Sequence, residues 1–492
     1  MKRWKRLILF WSFVTLFLLT VPLVLLRARG YRFDYHRGVF VYSGTLTFKS
    51  NPQTVDVRLN GALAASKQLD RINSSYNITG LLPNTYNFQV SADGFQTWSK
   101  TVSVHSGLAT EFWNILLTRK NYDRINYGAT GIEKFFLSPK NNLLVYTVPT
   151  AEKTSVSVFD IVAKKMTATF DFAGWSFAGT DRKENIEWSP DSSAFSVPMK
   201  NDADGKTTYD YFIVTLADKT QIDLNQFLGK DSISNVRWDP KDNGYLFFLS
   251  QNTLYRANLN AKDNLVTIAS NVSAYDLSGS TVYYALTPNN LLFKNSLDGR
   301  SEPSQITSNF PGKADAKITS MVVYDDSRIA MITDDHTLLI FNQGEHNNYF
   351  RELNDGILEA HFSDDGKKLL FWSDNEISVY YLRDELSQPV RNEDTMENIT
   401  RYSQSVANVQ WFYDYEHIVF TVGRFAKIIE LDPRDHKNCM DIISTNLENP
   451  FMIYNSYLGN LFFTDTQNSS TDLNSIIFPE KPSILGRIGI GG

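Results

Sequence analysis

The sequence has one cysteine, Cys439, among 492 residues. No intramolecular disulfide and no cysteine-based zinc site can form from it, and a lone thiol in such a chain is expected as an inert packing residue. A second thing lacking is a block of one charge sign. The formal net charge of -6 is spread along the chain, which excludes the concentrated basic surface that nucleic-acid binding requires. Compact catalytic signatures are missing as well: there is no phosphate loop, no His-Glu-x-x-His, no Gly-x-Ser-x-Gly and no dinucleotide fingerprint. After residue 26 no further apolar run is long enough to span a bilayer. No catalytic, cofactor-binding or metal-ligating residue can therefore be nominated, and no cofactor is implied.

What is present begins with Met1-Lys2-Arg3-Trp4-Lys5-Arg6, followed by twenty uncharged positions from Leu7 to Leu26. That length makes about 30 Å of helix, the thickness of a hydrocarbon core. The run exceeds a signal-peptide core of roughly 7–15 residues and leads into Leu26-Arg27-Ala28-Arg29-Gly30 with no small-x-small cleavage site. An uncleaved signal anchor at 7–26 is expected, with the lipid bilayer as its partner and a cytoplasmic tail at 1–6. Flanking cations are nearly balanced, since Arg27, Arg29, Arg32 and Arg37 face Lys2, Arg3, Lys5 and Arg6. A short N-terminal tail before a single anchor favours N-terminus inside and the remainder exported. Pro22 interrupts the run and removes one backbone donor.

Phe and Tyr number 33 and 24, and many lie in Val/Ile/Leu/Thr-rich runs, which predicts an all-β body. After a linker at 27–43, residues 44–119 alternate apolar and polar positions with period two, as in Thr45-Leu46-Thr47-Phe48 and Val55-Asp56-Val57-Arg58-Leu59. Asn60-Gly61 is a type I′ hairpin signal. Ser50, Pro52, Asn60, Gly61, Pro83, Tyr86, Gly94 and Phe95 follow the spacing of the PEGA family, which this segment resembles, although Pro83-Asn84 replaces the family's Pro-Gly. The resemblance implies a small extracytoplasmic β-sandwich acting as a spacer or binding module, with no catalytic residues.

From 120 to 480 one pattern recurs: a large apolar residue, a polar turn, and an apolar residue seven positions later. Its clear copies start at Trp188, Trp238, Phe362 and Trp411, and weaker ones at Leu137, Tyr275, Tyr324 and Tyr454. These eight pivots sit 51, 50, 37, 49, 38, 49 and 43 residues apart, close to the ~40–50 residues of a four-stranded propeller blade. Eight blades are expected, or seven if a shorter interval merges two copies. Ring closure is expected from Trp113–Leu117 or Tyr122–Tyr127, because the last copy lacks a clear fourth strand. Trp188-Ser189-Pro190-Asp191 and its recurrences resemble the TolB-like and WD-type propellers. Residues 481–492, with Gly486, Gly489, Gly491 and Gly492, read as a flexible tail.

The seven histidines, His36, His105, His336, His346, His361, His417 and His436, show no metal-ligand spacing. Asn201-Asp202-Ala203-Asp204-Gly205 shares closely spaced carboxylates with a calcium loop but lacks its acidic anchor, so a solvated hairpin is preferred. Asp364-Asp365-Gly366 reads as a turn whose carboxylates bond nearby amides. The Asn-x-Ser/Thr triplets at Asn73, Asn77, Asn271, Asn398 and Asn468 carry weight only in a glycosylating host. The function expected is a membrane-anchored extracytoplasmic binding or scaffold protein of the cell envelope, recognising a protein or wall polymer through propeller loops. The alternative is a propeller-type hydrolase or lyase acting on envelope carbohydrate, its carboxylates converging from separate blades at the channel.

Overall fold

In the computed structural model, which describes residues 3–64, 67–70, 73–179, 185–203, 205–467 and 470–479, the apolar run is a helix, Arg3–Ala28, without a buried residue. Its hydroxyls turn inward: Ser12 and Thr20 each donate to the carbonyl four residues earlier, which removes polar groups from an apolar surface. The helix is long and apolar enough to cross a membrane. Residues 27–43, expected as a linker, carry an antiparallel hairpin, Tyr31–Asp34 paired with Val39–Tyr42.

Period-two patterning then builds two four-stranded sheets. One orders Ala109–Leu116, Gly44–Asn51, Ser75–Leu81 and Lys67–Asp70; the other orders Ala62–Leu63, Asp56–Leu59, Asn84–Ser91 and Trp98–Val104. In Gly44–Asn51 the alternate residues Leu46 and Phe48 are fully buried, as a sheet with one packed face requires. Phe48, Phe88, Trp98 and Phe112 form a chain of tilted and edge-on rings, each about 5.4 Å from the next or the next but one. Asn60 and Gly61 both take positive φ (51° and 81°) and join Leu59 to its partner Ala62, the two-residue turn that this dipeptide favours.

The remaining strands form eight sheets with antiparallel neighbours, each meandering outward from its first strand, and first strands of several successive sheets contact one another, as Val272–Ser278 does Ile318–Asp325 and Val406–Trp411 does Met452–Asn455. This is a β-propeller among the described residues, with blades at 135–173, 176–223, 233–269, 272–305, 318–354, 359–401, 406–444 and 452–477. The shorter pivot intervals hide no merged blade. Closure comes from Ile125–Thr130, which pairs as outermost strand with Ser470–Ile477 of the eighth blade. Trp113–Leu117 plays no part in closure, because strand Ala109–Leu116 is committed to the sandwich. The closing strand ties the two ends of the ring together and leaves no unpaired gap between first and last blades.

The sandwich is docked on the propeller, and the two share one apolar core. Phe112, Ile115 and Leu117 of the former pack with Phe412, Met440, Tyr454 and Phe478 of the latter. At the centre of the joint Lys100 is 0% exposed. Its Nζ reaches Glu430 Oε1 at 2.8 Å and donates to the carbonyls of Asp432 (2.9 Å), Arg434 (2.8 Å) and His436 (2.5 Å). Trp98 Nε1 donates to the other oxygen of Glu430 at 2.8 Å, and the Arg434 guanidinium lies 3.8 Å over the Phe112 ring. A cation buried this deeply is tolerated only because carboxylate and carbonyls replace its water shell.

Candidate binding site at the channel mouth

Strand direction fixes which propeller face is which. First and third strands run toward the face that meets the sandwich, since their following loops hold Phe412, Asp432 and His436. Second and fourth strands run the other way, so the opposite face is made by loops such as 401–406 and 444–452, which follow fourth strands. On that opposite face a cavity of about 860 Å³ opens into the ring, lined mostly by first-strand and adjoining residues of the first, sixth, seventh and eighth blades, with Asn185 from beside the second blade's inner strand. Its volume lies within the ~300–1,000 Å³ of ordinary ligand pockets.

Phe136, Trp372 and Phe451 give the cavity apolar walls. His361 stands edge-on to Trp372 at 5.2 Å, with its Nε2 3.1 Å from Glu359 Oε1. Glu133, from the first blade, lines the same space. Two of the amides that line it, Asn408 and Gln410, are already used structurally. Asn408 Nδ2 donates to Thr421 Oγ1 and to the Pro450 carbonyl, both at 2.8 Å, and its Oδ1 accepts from Met452 N. Gln410 donates to the Met452 carbonyl and accepts from Tyr454 N. These two side chains act as rungs between the seventh and eighth blades.

On the inner strands of other blades a chain of charges crosses three blades. Arg237 Nε lies 2.9 Å from Glu187 Oε2, and its Nη1 lies 2.8 Å from Asp276 Oδ1. Asp276 Oδ2 also accepts from Val323 N of the fifth blade. Burial raises the Glu187 carboxyl above the usual range despite the opposing Arg237 charge, and Glu187 raises Arg237 further above the ordinary guanidinium range. Arg237 remains 30% exposed; the side chain is wetted while protein surrounds it.

A second, smaller cavity of about 50 Å³ lies at the joint with the sandwich. Arg391 lines it, 7% exposed, with Nη1 bound by Glu385 and Glu416 while Nε and Nη2 meet no protein partner. The volume suits roughly four waters, at ~10–15 Å³ each.

The structure brings together groups whose sequence spacing gave no hint of it. His346, Glu345 and Asp384 offer ligand atoms within 4.8 Å of one another; two of the three are exposed, and His346 Nε2 already pairs with Asp384 at 2.8 Å. Asp365 accepts from Ser363 Oγ (2.6 Å) and Lys367 N (3.1 Å) in its turn. Asp202 accepts from Thr207 within the hairpin of Ala194–Ala203 and Lys206–Thr215, whereas Asp204 lies outside the described residues, as do Asn468 and the glycines of 481–492. Cys439, expected to be packed away, is exposed at the start of its blade's outer strand, 3.5 Å from the Tyr402 hydroxyl.

No protein-family model and no curated protein matches the chain. Among solved structures it is similar to the Dos1 propeller, with a TM-score of 0.46 and 10% identity over 73% of this chain and 96% of that one. It is also similar to Kluyveromyces lactis Hsv2, with a TM-score of 0.40 and 11% identity over 65% and 99%. A third similarity is to Porphyromonas gingivalis dipeptidyl peptidase 4, with a TM-score of 0.43 and 10% identity over 74% and 61%. At such identities the likeness concerns fold alone; the ring assignment rests on the strand pairings.

Proposed function

We propose that the protein is a membrane-tethered, non-enzymatic binding protein of the cell envelope that holds the open channel mouth away from the bilayer to receive a protein or wall-polymer segment. The observation that carries this reading is positional. The apolar helix joins the sandwich at one end, the propeller docks at the other, and the 860 Å³ cavity opens on the propeller face opposite that joint. A rigid chain of this kind makes sense as a stalk and a platform, because fixed rings hold recognition groups without paying ordering entropy at each encounter. The PEGA-like spacing in residues 44–119 supports an extracytoplasmic placement. The mixture of Phe136, Trp372 and Phe451 with Glu359 and His361 suits an extended segment with an apolar side chain and a cationic or hydroxylic neighbour.

The test is photo-crosslinking from the mouth in living cells. A photoreactive phenylalanine analogue at His361 should give a discrete adduct that disappears when Trp372→Ala is added. The same analogue at Tyr413, on the sandwich-side face, should not give it. Equal adducts from both faces would count against the reading.

A second reading keeps one observation of its own: Glu133 and Glu359 line a single cavity, as a carbohydrate-cleaving site requires of two carboxylates. Release of soluble fragments from isolated wall material, lost in both Glu133→Gln and Glu359→Gln, would replace the binding role with an enzymatic one.

A further inference from the structure

The hairpin 31–42 follows the helix directly and is bonded to its last turn. The helix's final turn is closed by Arg29 N donating to the Leu25 carbonyl (3.0 Å) and Gly30 N to the Arg27 carbonyl (3.1 Å), and from the hairpin Arg32 Nη1 donates to that same Arg27 carbonyl at 3.3 Å. A 26-residue helix is about 39 Å long, longer than the ~30 Å hydrocarbon core, so its last turn and whatever is bonded to that turn lie at headgroup level.

The chemistry of the hairpin matches that depth. Phe33, Tyr35, Val39, Phe40 and Tyr42 are all exposed, Tyr35 to 87%. Phe33 is the hub, with its ring centroid 5.1 Å from those of Tyr35 and Phe40. Aromatic rings with a polar end concentrate at the bilayer surface, where one part is apolar and the other wet. Four arginines against the single Asp34 give residues 27–42 a formal +3, and because residues 1–26 hold four cations and no acid, residues 43–492 carry -13. Asp34 is itself occupied, accepting from His36 N and Arg37 N inside the turn, and its other oxygen lies 3.6 Å from Arg37 Nε, whose side chain stays 66% exposed. Positive charge is therefore collected on the one element beside the helix end, and the rest of the body is repelled by an anionic surface.

The other side of the hairpin is locked to the sandwich. The Tyr42 ring covers Gly30 and Gly107, where an added Cβ would come within 2.9 Å and 2.7 Å of it. Ser43 N and Oγ both donate to the Gly30 carbonyl, and Ser106 Oγ donates to the Tyr42 carbonyl. The Arg32 guanidinium lies against Gly80. Movement of the hairpin would carry the sandwich with it.

We infer that hairpin 31–42 is a foot that seats on an anionic phospholipid leaflet, inserting Phe33, Tyr35 and Phe40 among the headgroups while Arg29 and Arg37 meet lipid phosphates, and so sets the angle at which the body stands. This rests on the membrane-tether reading of the helix. The test uses the full chain in a Cys439→Ser background, with single spin labels at Leu18→Cys, Tyr35→Cys and Asn449→Cys. The proteins are reconstituted in phosphatidylcholine vesicles with and without phosphatidylglycerol. Collision with a water-soluble nickel chelate should be several-fold lower at Tyr35 than at Asn449 in the anionic vesicles. The protection should shrink in phosphatidylcholine alone and in Arg29→Gln/Arg37→Gln, while Leu18 stays inaccessible throughout. A buried Leu18 with Tyr35 as accessible as Asn449 overturns the foot and leaves the tether standing. Shielding of Tyr35 that persists in detergent with spin–spin broadening assigns the surface to a second copy and likewise overturns it. An accessible Leu18 overturns tether and foot together.

Discussion

Trp238 Nε1 donates to the carbonyl of Glu187, 51 residues earlier and one blade back, at 2.9 Å. The same bond joins Trp188 to the Phe136 carbonyl (3.3 Å) and Trp411 to the His361 carbonyl (3.1 Å). Each indole closes its own first strand and staples it to the preceding blade's, so the recurring tryptophan of the repeat is an inter-blade hydrogen bond as well as a packing residue.

Trp238→Phe keeps most of the apolar contact and removes the shorter of two side-chain bonds to the Glu187 carbonyl, leaving the 3.4 Å bond from Ser196 Oγ beside the Glu187–Arg237 pair. The expected cost is about 1–3 kcal/mol, read from urea unfolding of the wild type and variant. No change in the midpoint would mean that the staple is replaced by water at no cost.

Lys100→Met should be worse, because it strands Glu430 in a site where the lysine is 0% exposed and strips a donor from three carbonyls. Removing one partner from a buried ion pair costs about 3–5 kcal/mol. Limited proteolysis should then separate the sandwich from the propeller at 117–125 while the propeller alone stays resistant. Uniform resistance in the variant would show that the apolar joint suffices.

The joint should also respond to pH through His417. Burial opposes protonation of its ring, but Asp414, 2.8 Å from Nδ1, together with Glu430 and Glu416, more than offsets this and raises the pKa above its ordinary value of about 6.5. A pKa raised by folding contributes stability that is complete below about pH 6.5 and is lost as pH rises through the folded-state value. The Tm difference between wild type and His417→Gln should therefore be larger at pH 6 than at pH 9. A difference that is flat or grows with pH contradicts the assignment.

Much of this architecture could be read from the chain because the repeat is a register rule. Leu137–Leu144, Trp188–Phe195, Phe362–Leu369, Trp411–Ile418 and Tyr454–Leu461 are direct cross-strand partners, as a seven-step through a fixed hairpin demands. The rule slips where the turn changes length. Trp238 meets Leu246 rather than Tyr245 across a longer turn. The fourth and fifth blades close tightly, at Ser278–Thr281 and Asp325–Arg328, so Tyr275 faces Tyr284 and Met331 faces Met321. Closure was legible only in part: of the two candidates, Tyr122–Tyr127 overlaps the closing strand Ile125–Thr130 by three residues, and any β-rich segment before the ring can supply a last strand. The channel-mouth groups were not readable at all. Glu133, Glu359, His361 and Phe451 come from three blades, and only ring curvature unites them. The hairpin at 31–42 was missed because its exposed aromatics give no buried face for a period to mark.

The proposed function places the propeller's open face outside the cell on a tether. It is tested most directly by a membrane-impermeant maleimide applied to intact cells expressing Asn449→Cys in the Cys439→Ser background. The account predicts full labelling without permeabilisation, matched by the same extent after it. Labelling that appears only once the membrane is opened would contradict it.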